Sequence, residues 1–199
     1  MVGIIDYGVG NLFSLRSSFT AIGVEAFVSG DAGELAKADR LILPGVGAFG
    51  DAAAKLRASG QDAFVREQAA AGKPLMGICL GMQLLFERSY EYGDHEGLGL
   101  LKGQVVGMSG KLPEGLKLPH MGWNALKLTK SAKLLEEGSY VYFVHSFYAE
   151  NCEDSLAAVT DYGIPIPAAV EKDNIFGCQF HPEKSGNVGL AILKKFCEV

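Results

Sequence analysis

The sequence of 199 residues lacks three features that define large classes of protein: long apolar runs, clusters of positive charge and closely spaced cysteines. No apolar run reaches the roughly 18 residues of a membrane-spanning helix, and the start MVGIIDYG has neither the basic region nor the long apolar core of a signal peptide. The net charge is −5 with no lysine and arginine cluster, which argues against nucleic acid as a partner. We therefore expect a cytoplasmic protein with neither a membrane nor a nucleic-acid partner.

Cysteine is scarce, and none of the four cysteines belongs to a C-x-x-C pair. This number is too small for a disulfide framework in a chain of this length, so reduced thiols are expected. A special role for any of them has to be argued from its own surroundings. No grouping of residues suggests a metal site, and we expect neither a metal nor a cofactor. The cysteines are Cys79, Cys152, Cys178 and Cys197.

The apolar patterning predicts an α/β fold. With 48% hydrophobic and 21% charged residues, the composition is that of one globular domain with a substantial core. In the first half, strand-like runs alternate with helical stretches, which indicates βαβ units and a parallel sheet. The predicted strands are Val2–Ile5, Val24–Val28, Arg40–Leu43 and Leu75–Ile78, and the predicted helices are Leu12–Ile22, Asp51–Ala71 and Leu80–Arg88.

The second half changes character, because its strand-like runs are separated by short turns. We expect it to add antiparallel strands to the same core before a final helix from Asn187. No repeat, low-complexity segment or linker interrupts the chain. The predicted strands are Gln104–Met108, Trp123–Leu128, Tyr140–Tyr148, Leu156–Thr160, Ala168–Glu171 and Ile175–Phe180. The sequence therefore predicts a single three-layer α/β domain over residues 1–199, with functional residues at the carboxyl ends of its strands.

The segment KPLMGICLGMQLLFERS carries the clearest chemical signal. A short apolar strand runs into Gly77-Ile78-Cys79-Leu80-Gly81 and then into a helical pattern. In the G-x-S-x-G nucleophile elbow, the two glycines let a strand turn sharply into a helix, and Gly77 and Gly81 occupy those positions around Cys79. A thiol at a helix N-terminus is favoured as the nucleophilic thiolate. The alternative is a buried apolar cysteine, which the two glycines disfavour.

A thiolate nucleophile needs a base that also carries its proton, and His181 is the best of four histidines. Pro182 biases His181 towards an extended conformation, so that Glu183 can lie on the same side and orient the imidazole. This is the logic of a Cys-His-acid triad. The alternative is a surface loop in which both residues are incidental. His95 is expected in a solvated loop, whereas His120 and His145 lie beside apolar segments and are expected to be structural.

The stretch Gly45-Val46-Gly47-Ala48-Phe49-Gly50 fits the dinucleotide-binding pattern G-x-G-x-x-G. A dinucleotide site would need another strand that ends in an acidic residue about twenty positions further on. The stretch Asp51–Ala71 is predicted to be helical, and no strand comes before Leu75. The nucleotide interpretation therefore fails, and the glycines require another explanation.

Six segments of the sequence carry a family resemblance. GICLGMQLL together with FHPEKSG resembles the class I glutamine amidotransferases, in which a cysteine, a histidine and a glutamate release ammonia from glutamine. The ordered set IIDYGVGNLFSL, LPGVGAFGDA, GICLGMQLLFE, PHMGWN, YFVHSFY and CQFHPEKSG resembles the glutaminase subunits of imidazole glycerol phosphate synthase over nearly the whole chain. Met82 supports this assignment, because several sister amidotransferases carry a histidine there. The resemblance implies the three-layer class I glutamine amidotransferase fold.

The resemblance also implies a mechanism, with L-glutamine as the substrate. Cys79 would attack the side-chain amide carbon, His181 would give a proton to the departing ammonia, and water would hydrolyse the thioester. The N–H of Leu80 is one expected oxyanion donor, since it follows the nucleophile directly. The segment Gly45-Val46-Gly47 would be the oxyanion strand, with Val46 N–H as the second donor, although a merely structural turn is the alternative.

Binding of glutamine is assigned by resemblance alone. Glu91 would pair with the α-amino group, although a solvated loop is the usual interpretation of its surroundings. Ser146 and Phe147 replace a Thr-Tyr pair expected in the family, so only their backbone roles carry over. The implied glutamine contacts are Gly47, Gln83, Glu91, Ser146 and Phe147.

A chain of this length leaves no room for a synthase domain of roughly 100–200 residues, so a partner chain is expected. By resemblance the partner is the (β/α)8 cyclase subunit, which uses the ammonia to make imidazole glycerol phosphate and AICAR in histidine biosynthesis, in a one-to-one heterodimer. Asn11, Tyr142 and Lys184 match positions that face this partner, although Tyr142 could equally belong to the core. The alternatives are a glutaminase or cysteine hydrolase that serves another synthase, and a non-enzymatic binding module.

Overall fold

A computed structural model describes residues 1–199 as a layered α/β structure with fourteen strands and six helices. The strands are β1 Val2–Ile5, β2 Ala26–Ser29, β3 Arg40–Leu43, β4 Leu75–Ile78, β5 Arg88–Ser89, β6 His95–Glu96, β7 Gln104–Gly107, β8 His120–Ala125, β9 Lys127–Leu128, β10 Tyr140–His145, β11 Phe147–Glu150, β12 Leu156–Asp161, β13 Pro165–Lys172 and β14 Ile175–Cys178. The helices are α1 Leu12–Ala21, α2 Ala32–Leu35, α3 Phe49–Ala58, α4 Gln61–Ala70, α5 Leu80–Leu84 and α6 Gly186–Phe196. No helix is both long and apolar enough to cross a membrane.

An eight-stranded sheet with the order β2-β1-β3-β4-β14-β13-β12-β9 forms the middle layer. The first five strands in this order are parallel to one another. The last three extend the sheet with antiparallel pairings. This architecture confirms the predicted mostly parallel sheet with added antiparallel strands.

Helices cover both faces of this sheet because its parallel strands are apolar on both faces. Along β1, the buried residues Ile4 and Ile5 belong to two different core clusters, as the alternation of side chains along a strand requires. One cluster packs the sheet against α3 and α4, and the other packs it against α1 and α6. The structure therefore has the three layers expected from the sequence.

The predicted helix Asp51–Ala71 is wrong as a single element. The structure contains two helices, α3 and α4, because Ser59 ends the first and Gly60 takes a left-handed conformation with φ of 73°. Only glycine adopts this conformation without a Cβ penalty. The nucleotide interpretation still fails, since no strand lies between these helices and β4.

The predicted helix Leu80–Arg88 is also too long, since α5 ends at Leu84. The chain around Leu98 folds back and donates backbone hydrogen bonds to the carbonyls of Leu84, Leu85 and Phe86. These long-range bonds take up the acceptors at the C-terminus of α5 and replace the continuation of the helix. Arg88 instead begins β5.

Two long strands predicted in the second half are each divided. Tyr140–Tyr148 becomes β10 and β11, which pair with β8 and β7 respectively. Trp123–Leu128 becomes the end of β8 and the short strand β9. Three of the predicted strands therefore supply β7, β8, β10 and β11, which form a two-stranded sheet, β10-β8, and part of a four-stranded sheet, β11-β7-β5-β6, outside the central sheet. Helix α2 and strands β5 and β6 were not predicted.

Candidate active site

Cys79 lies at a sharp turn between β4 and α5, with φ of 55° and ψ of −112°. A positive φ is unusual for a residue with a side chain, and such strained residues cluster at functional sites. The side chain is buried, with 8% of the residue exposed. Cys79 therefore has the backbone conformation of a nucleophile elbow, and this feature was visible in the sequence.

The two glycines of the elbow are required by close backbone contacts. A Cβ on Gly81 would lie 1.9 Å from the carbonyl oxygen of Leu43, and a Cβ on Gly77 would lie 2.6 Å from the carbonyl oxygen of Gly81. Neither backbone can move away without breaking the sheet or the helix. The pattern G-x-C-x-G therefore follows from steric exclusion at both positions.

The topology brings three separate sequence motifs together. Strands β3, β4 and β14 are neighbours and run parallel, so their carboxyl ends meet at one edge of the sheet. The Gly45-Val46-Gly47 segment follows β3, Cys79 follows β4 and His181 follows β14. This edge is where open α/β sheets bind their ligands.

His181 and Glu183 form a buried pair beside Cys79. His181 is extended, with φ of −102° and ψ of 98°, and its Nδ1 lies 2.7 Å from Oε1 of Glu183. Burial by itself would lower the pKa of His181, but interactions with the Cys79 and Glu183 side chains outweigh burial and raise the pKa to about 9. An imidazolium beside the sulfur stabilises the thiolate. These contacts are compatible with the predicted Cys-His-acid triad.

The main chain around His181 is fixed by Ser185, which sequence reasoning missed. Ser185 Oγ–H donates to the carbonyl of His181 at 2.6 Å, and Ser185 Oγ accepts from the N–H of Tyr142 at 3.0 Å. The N–H of His181 donates to the carbonyl of Tyr142 at 2.9 Å. These bonds tie the histidine segment to β10.

The oxyanion segment packs directly on the start of α5. A Cβ on Gly45 would lie 2.7 Å from the N atom of Gly81, so only glycine allows this approach. The Tyr7 hydroxyl donates to the carbonyl of Pro44 at 2.8 Å and fixes the entry to the segment; Tyr7 was also missed from the sequence. Neither the Val46 N–H nor the Leu80 N–H donates a hydrogen bond within the chain. Neither predicted oxyanion donor is therefore used by a hydrogen bond inside the chain.

A cavity of about 360 Å³ opens at Cys79 and His181. Both predicted oxyanion residues and every predicted glutamine contact line it, as does Lys184. Four further lining residues were not predicted: Tyr92, Pro119, Val144 and His145. A larger polar depression of about 670 Å³ around Arg66 and Glu87 contains none of the predicted site residues.

Glu91 is buried and lines the cavity. The alternative interpretation, a solvated loop residue, is therefore wrong. Its Oε2 accepts a hydrogen bond of 2.7 Å from the N–H of Phe49, at the N-terminus of α3. Burial raises the pKa of Glu91, and the hydrogen bond from Phe49 opposes that shift. The helix N-terminus therefore holds the carboxylate of this cavity-lining residue in place.

His120 and His145 are structural histidines, as expected, but His145 also lines the cavity. His120 Nδ1 lies 2.9 Å from His145 Nε2, and the His145 Nδ1–H donates to the carbonyl of Phe147 at 2.8 Å. Burial lowers the pKa of His145 to about 3. His95 differs from the expected solvated loop residue, since it belongs to β6 and its ring packs against Gly50.

The three predicted partner-facing residues do not share one local structure. Asn11 caps α1, where its Oδ1 accepts from Ser14 N–H. Lys184 Nζ lies 6.0 Å from the ring centre of Tyr142, and the Tyr142 ring is 6.0 Å from that of Trp123. Tyr142 is only partly buried and lies on the opposite side of β10 from the buried Val141 and Phe143, so it does not belong to the core.

Strands β8 and β10 expose an apolar face, which we call the aromatic face. Met121, Trp123 and Tyr140 are 59%, 51% and 60% exposed, and Tyr142 pairs with Trp123 across the two strands. On the opposite face, the β10 residues are buried and the β8 residues are buried or partly buried. Large exposed apolar patches of this kind mark interaction surfaces.

Comparisons with known proteins agree with this geometry. The family model described as glutamine amidotransferase class-I matches residues 4–199. The imidazole glycerol phosphate synthase subunit HisH of Caldanaerobacter subterraneus subsp. tengcongensis is 52% identical over 203 residues, covering 100% of this chain and 98% of that protein. The protein of the same name from Bacillus subtilis is 49% identical over 204 residues, covering 100% of this chain and 96% of its own length.

Solved structures show the same fold. A crystal structure of a glutamine amidotransferase has a TM-score of 0.78 at 20% identity and covers 99% of this chain and 97% of its own. The structure of PurLQS from Thermotoga maritima has a TM-score of 0.76 at 22% identity, with the same coverage of 99% and 97%. At these identities the likeness concerns the fold alone.

Proposed function

The chain belongs to the class-I glutamine amidotransferases, and within them to the HisH subunits of imidazole glycerol phosphate synthase, and we propose that it hydrolyses glutamine at Cys79 and supplies the ammonia to a separate cyclase subunit. The observation that carries this proposal is the placement of Cys79 and His181 at one cavity of about 360 Å³, with Glu183 bonded to His181 from behind. That volume suits a ligand of the size of glutamine.

The reaction begins with attack of the Cys79 thiolate on the side-chain amide carbon of glutamine. The carbon–sulfur bond forms, and the carbonyl electron pair moves onto oxygen. The unpaired N–H groups of Val46 and Leu80 are the donors available to this oxyanion. Donors that are held in place by the backbone stabilise the developing charge without having to reorganise.

Collapse of this intermediate releases ammonia and leaves a glutamyl thioester. His181 is protonated at neutral pH, since its pKa is raised to about 9, and it gives its proton to the departing nitrogen. The neutral imidazole then takes a proton from water as the water attacks the thioester. The carbon–sulfur bond breaks, glutamate leaves, and the electron pair returns to sulfur. Glu183 holds the imidazole at Nδ1 throughout, which leaves Nε2 for these transfers.

Glutamine recognition is assigned to the rest of the cavity wall. The buried carboxylate of Glu91 suits the α-amino group of the substrate, and Gly47, Ser146 and Phe147 offer backbone groups. Both N–H groups of the Gln83 amide are used within the protein, on Phe147 and Gln179, so Gln83 offers a ligand only its oxygen. An acceptor at this position suits a donor group of glutamine.

The partner is a (β/α)8 cyclase subunit in a one-to-one heterodimer that makes imidazole glycerol phosphate and AICAR. The aromatic face supports a protein partner, because it leaves Met121, Trp123 and Tyr140 exposed close to the active-site segment. The Tyr142 side chain borders the aromatic face, and the Tyr142 backbone bonds to His181 and Ser185. Asn11 and Lys184 complete the proposed contact surface.

The decisive experiment follows product formation with the chain and the cyclase subunit, each alone and together. Imidazole glycerol phosphate should form from glutamine only when both chains are present, and from ammonium salts with the cyclase alone. The isolated chain should be a poor glutaminase that is accelerated by the liganded cyclase, because otherwise glutamine would be consumed without product. Glutamate release without imidazole glycerol phosphate in the mixture would indicate a glutaminase for another synthase. Absence of both products would overturn the proposed function.

A further inference from the structure

Gln179 is a fully buried amide that touches the nucleophile and has no role in the mechanism described above. It follows β14 directly, and its N–H donates to the carbonyl of Ala168 at 2.9 Å. Along this extended segment, Gln179 and His181 both reach Cys79, whereas Phe180 between them packs against Phe143 on the other side. The alternation of the chain therefore aims two polar side chains at one sulfur atom.

The orientation of the Gln179 amide is fixed by a chain of hydrogen bonds that begins at a carbonyl. The carbonyl oxygen of Phe147 can only accept, so Nε2 of Gln83 must face it, at 3.0 Å. The same Nε2 donates to the Gln179 side chain at 2.9 Å, which requires Oε1 of Gln179 at that contact. Nε2 of Gln179 is then turned to Sγ of Cys79, at 3.8 Å. A flipped Gln179 amide would place two donors face to face.

We propose that Gln179 is a positioning residue that acts through Cys79: its amide N–H donates to the sulfur and stabilises the thiolate. This inference rests on the proposed function and assigns it a further residue. The thiolate exists at two points of the reaction, before it attacks the amide carbon and after the thioester carbon–sulfur bond breaks. A donor to sulfur therefore favours formation of the nucleophile and departure of the sulfur from the thioester.

The other side chains around the Cys79 sulfur are ionisable, whereas the amide of Gln179 is a neutral donor. His181 interacts with Cys79 directly, and Glu183 lies behind His181. The buried Tyr7 donates its hydroxyl hydrogen to Pro44, and Cys178 Sγ–H donates to the carbonyl of Gly77, at 3.9 Å. Neither of these two therefore donates its hydrogen to Cys79. An amide keeps its donor at every pH, unlike the imidazole.

The test measures the pH profile of Cys79 alkylation by iodoacetamide in the parent and in Gln179→Met. Methionine keeps the length and volume of glutamine but has no donor for sulfur. The midpoint of the profile should move to higher pH by about one pH unit, because a hydrogen bond to a charged group is lost. With the cyclase subunit present, kcat for glutamine at neutral pH should fall about tenfold, and part of the loss should be recovered as the pH rises.

Cys178→Ala is the matched control, since it changes the buried residue that precedes Gln179 without removing a donor to Cys79. It should keep the parental midpoint. If Gln179→Met fails to fold, Gln179→Asn tests the same point, because the shorter amide keeps its polarity but does not reach the sulfur. A parental midpoint in a folded Gln179 variant would overturn the proposal, even if turnover were slower.

The failure of this proposal is distinguishable from failure of the proposed function. The alkylation profile needs only the chain itself and reports on the sulfur whether or not glutamine is turned over. A midpoint that is shifted in Gln179→Met, together with a parent that lacks glutaminase activity even with the liganded cyclase, would support the role of Gln179 and overturn the function. Normal glutaminase activity of the parent, together with an unshifted midpoint in Gln179→Met, would support the function and overturn the role of Gln179.

Discussion

Nδ1 of His181 lies 2.7 Å from Oε1 of Glu183, and the two side chains are only 3% and 1% exposed. The second carboxylate oxygen of Glu183 is buried and makes no hydrogen bond within the chain. The imidazole of His181 is therefore the polar group that the Glu183 carboxylate contacts within the chain. The proton affinity of His181 therefore depends on the Glu183 charge as well as on the Cys79 side chain.

The Glu183→Gln variant should shift the alkaline limb of glutamine turnover to lower pH. Removal of the carboxylate charge lowers the pKa of His181 from about 9 towards its ordinary value of 6.5, so the proton donor is lost earlier as pH rises. We expect a displacement of at least about one pH unit in the kcat profile measured with the partner present. His181→Ala should be slower still, because it removes the proton carrier itself. An unchanged alkaline limb in Glu183→Gln would contradict this coupling.

The Cys79→Ala variant should lose glutamine-dependent synthesis of imidazole glycerol phosphate and keep synthesis from added ammonium salts. The substitution removes the nucleophile and leaves the surface that we assign to the partner intact. Product formation from each nitrogen source should be measured with the same preparation of the complex. Loss of both activities would indicate that Cys79 has a structural role.

Val46→Pro should lower partner-stimulated glutamine turnover by roughly 10²–10³, the usual loss for one oxyanion donor. Proline removes the N–H and fixes φ, whereas Val46→Ala keeps the N–H and should be mild. Glutamine binding should suffer less than turnover.

Proline could also distort this segment, so thermal melting and gel filtration of the complex serve as controls. A folded, partner-bound Val46→Pro protein with turnover within a few-fold of the parent would show that another group is the donor.

His145 should make the protein sensitive to acid. Its pKa is lowered to about 3 by burial, with smaller contributions from the nearby His120 and His181, so the native state binds no proton there between about pH 6.5 and about pH 3. The unfolded chain does bind one, so the free energy of unfolding falls as pH falls through this range, by about 1.4 kcal/mol per pH unit. In His145→Gln this dependence should be weaker, as measured by denaturant unfolding at several pH values. Parallel stability curves for parent and variant would refute the assignment.

Gly81→Ala should destabilise the fold strongly, since its Cβ would lie 1.9 Å from the carbonyl oxygen of Leu43. We expect a loss of at least about 3 kcal/mol in the free energy of unfolding, or an insoluble protein. Gly107→Ala is the matched control, because its Cβ would meet its nearest neighbour at an ordinary 3.5 Å. Equal thermal melting of the two variants would show that the elbow tolerates a side chain.

The sequence by itself determined the features that depend on local sterics and on alternation along the chain. Gly77 and Gly81 identify the elbow by their spacing around Cys79, and the backbone of Gly81 itself excludes a Cβ at Gly77. The strands of the parallel sheet are recognisable because burial on both faces requires a continuous apolar run. His181 and Glu183 are two residues apart, so their pairing was also within reach of local reasoning.

Only the tertiary structure decided where elements end and which distant residues meet. Tyr140–Tyr148 is one apolar run, yet it is divided at Ser146 because its two parts pair with different strands. Tyr92, His145 and Gln179 reach the active site through contacts between segments that lie far apart in the chain. A sequence pattern records what each residue needs locally, whereas these contacts depend on which strands become neighbours. The catalytic motif could therefore be predicted from the sequence, whereas the full wall of the cavity around it could not.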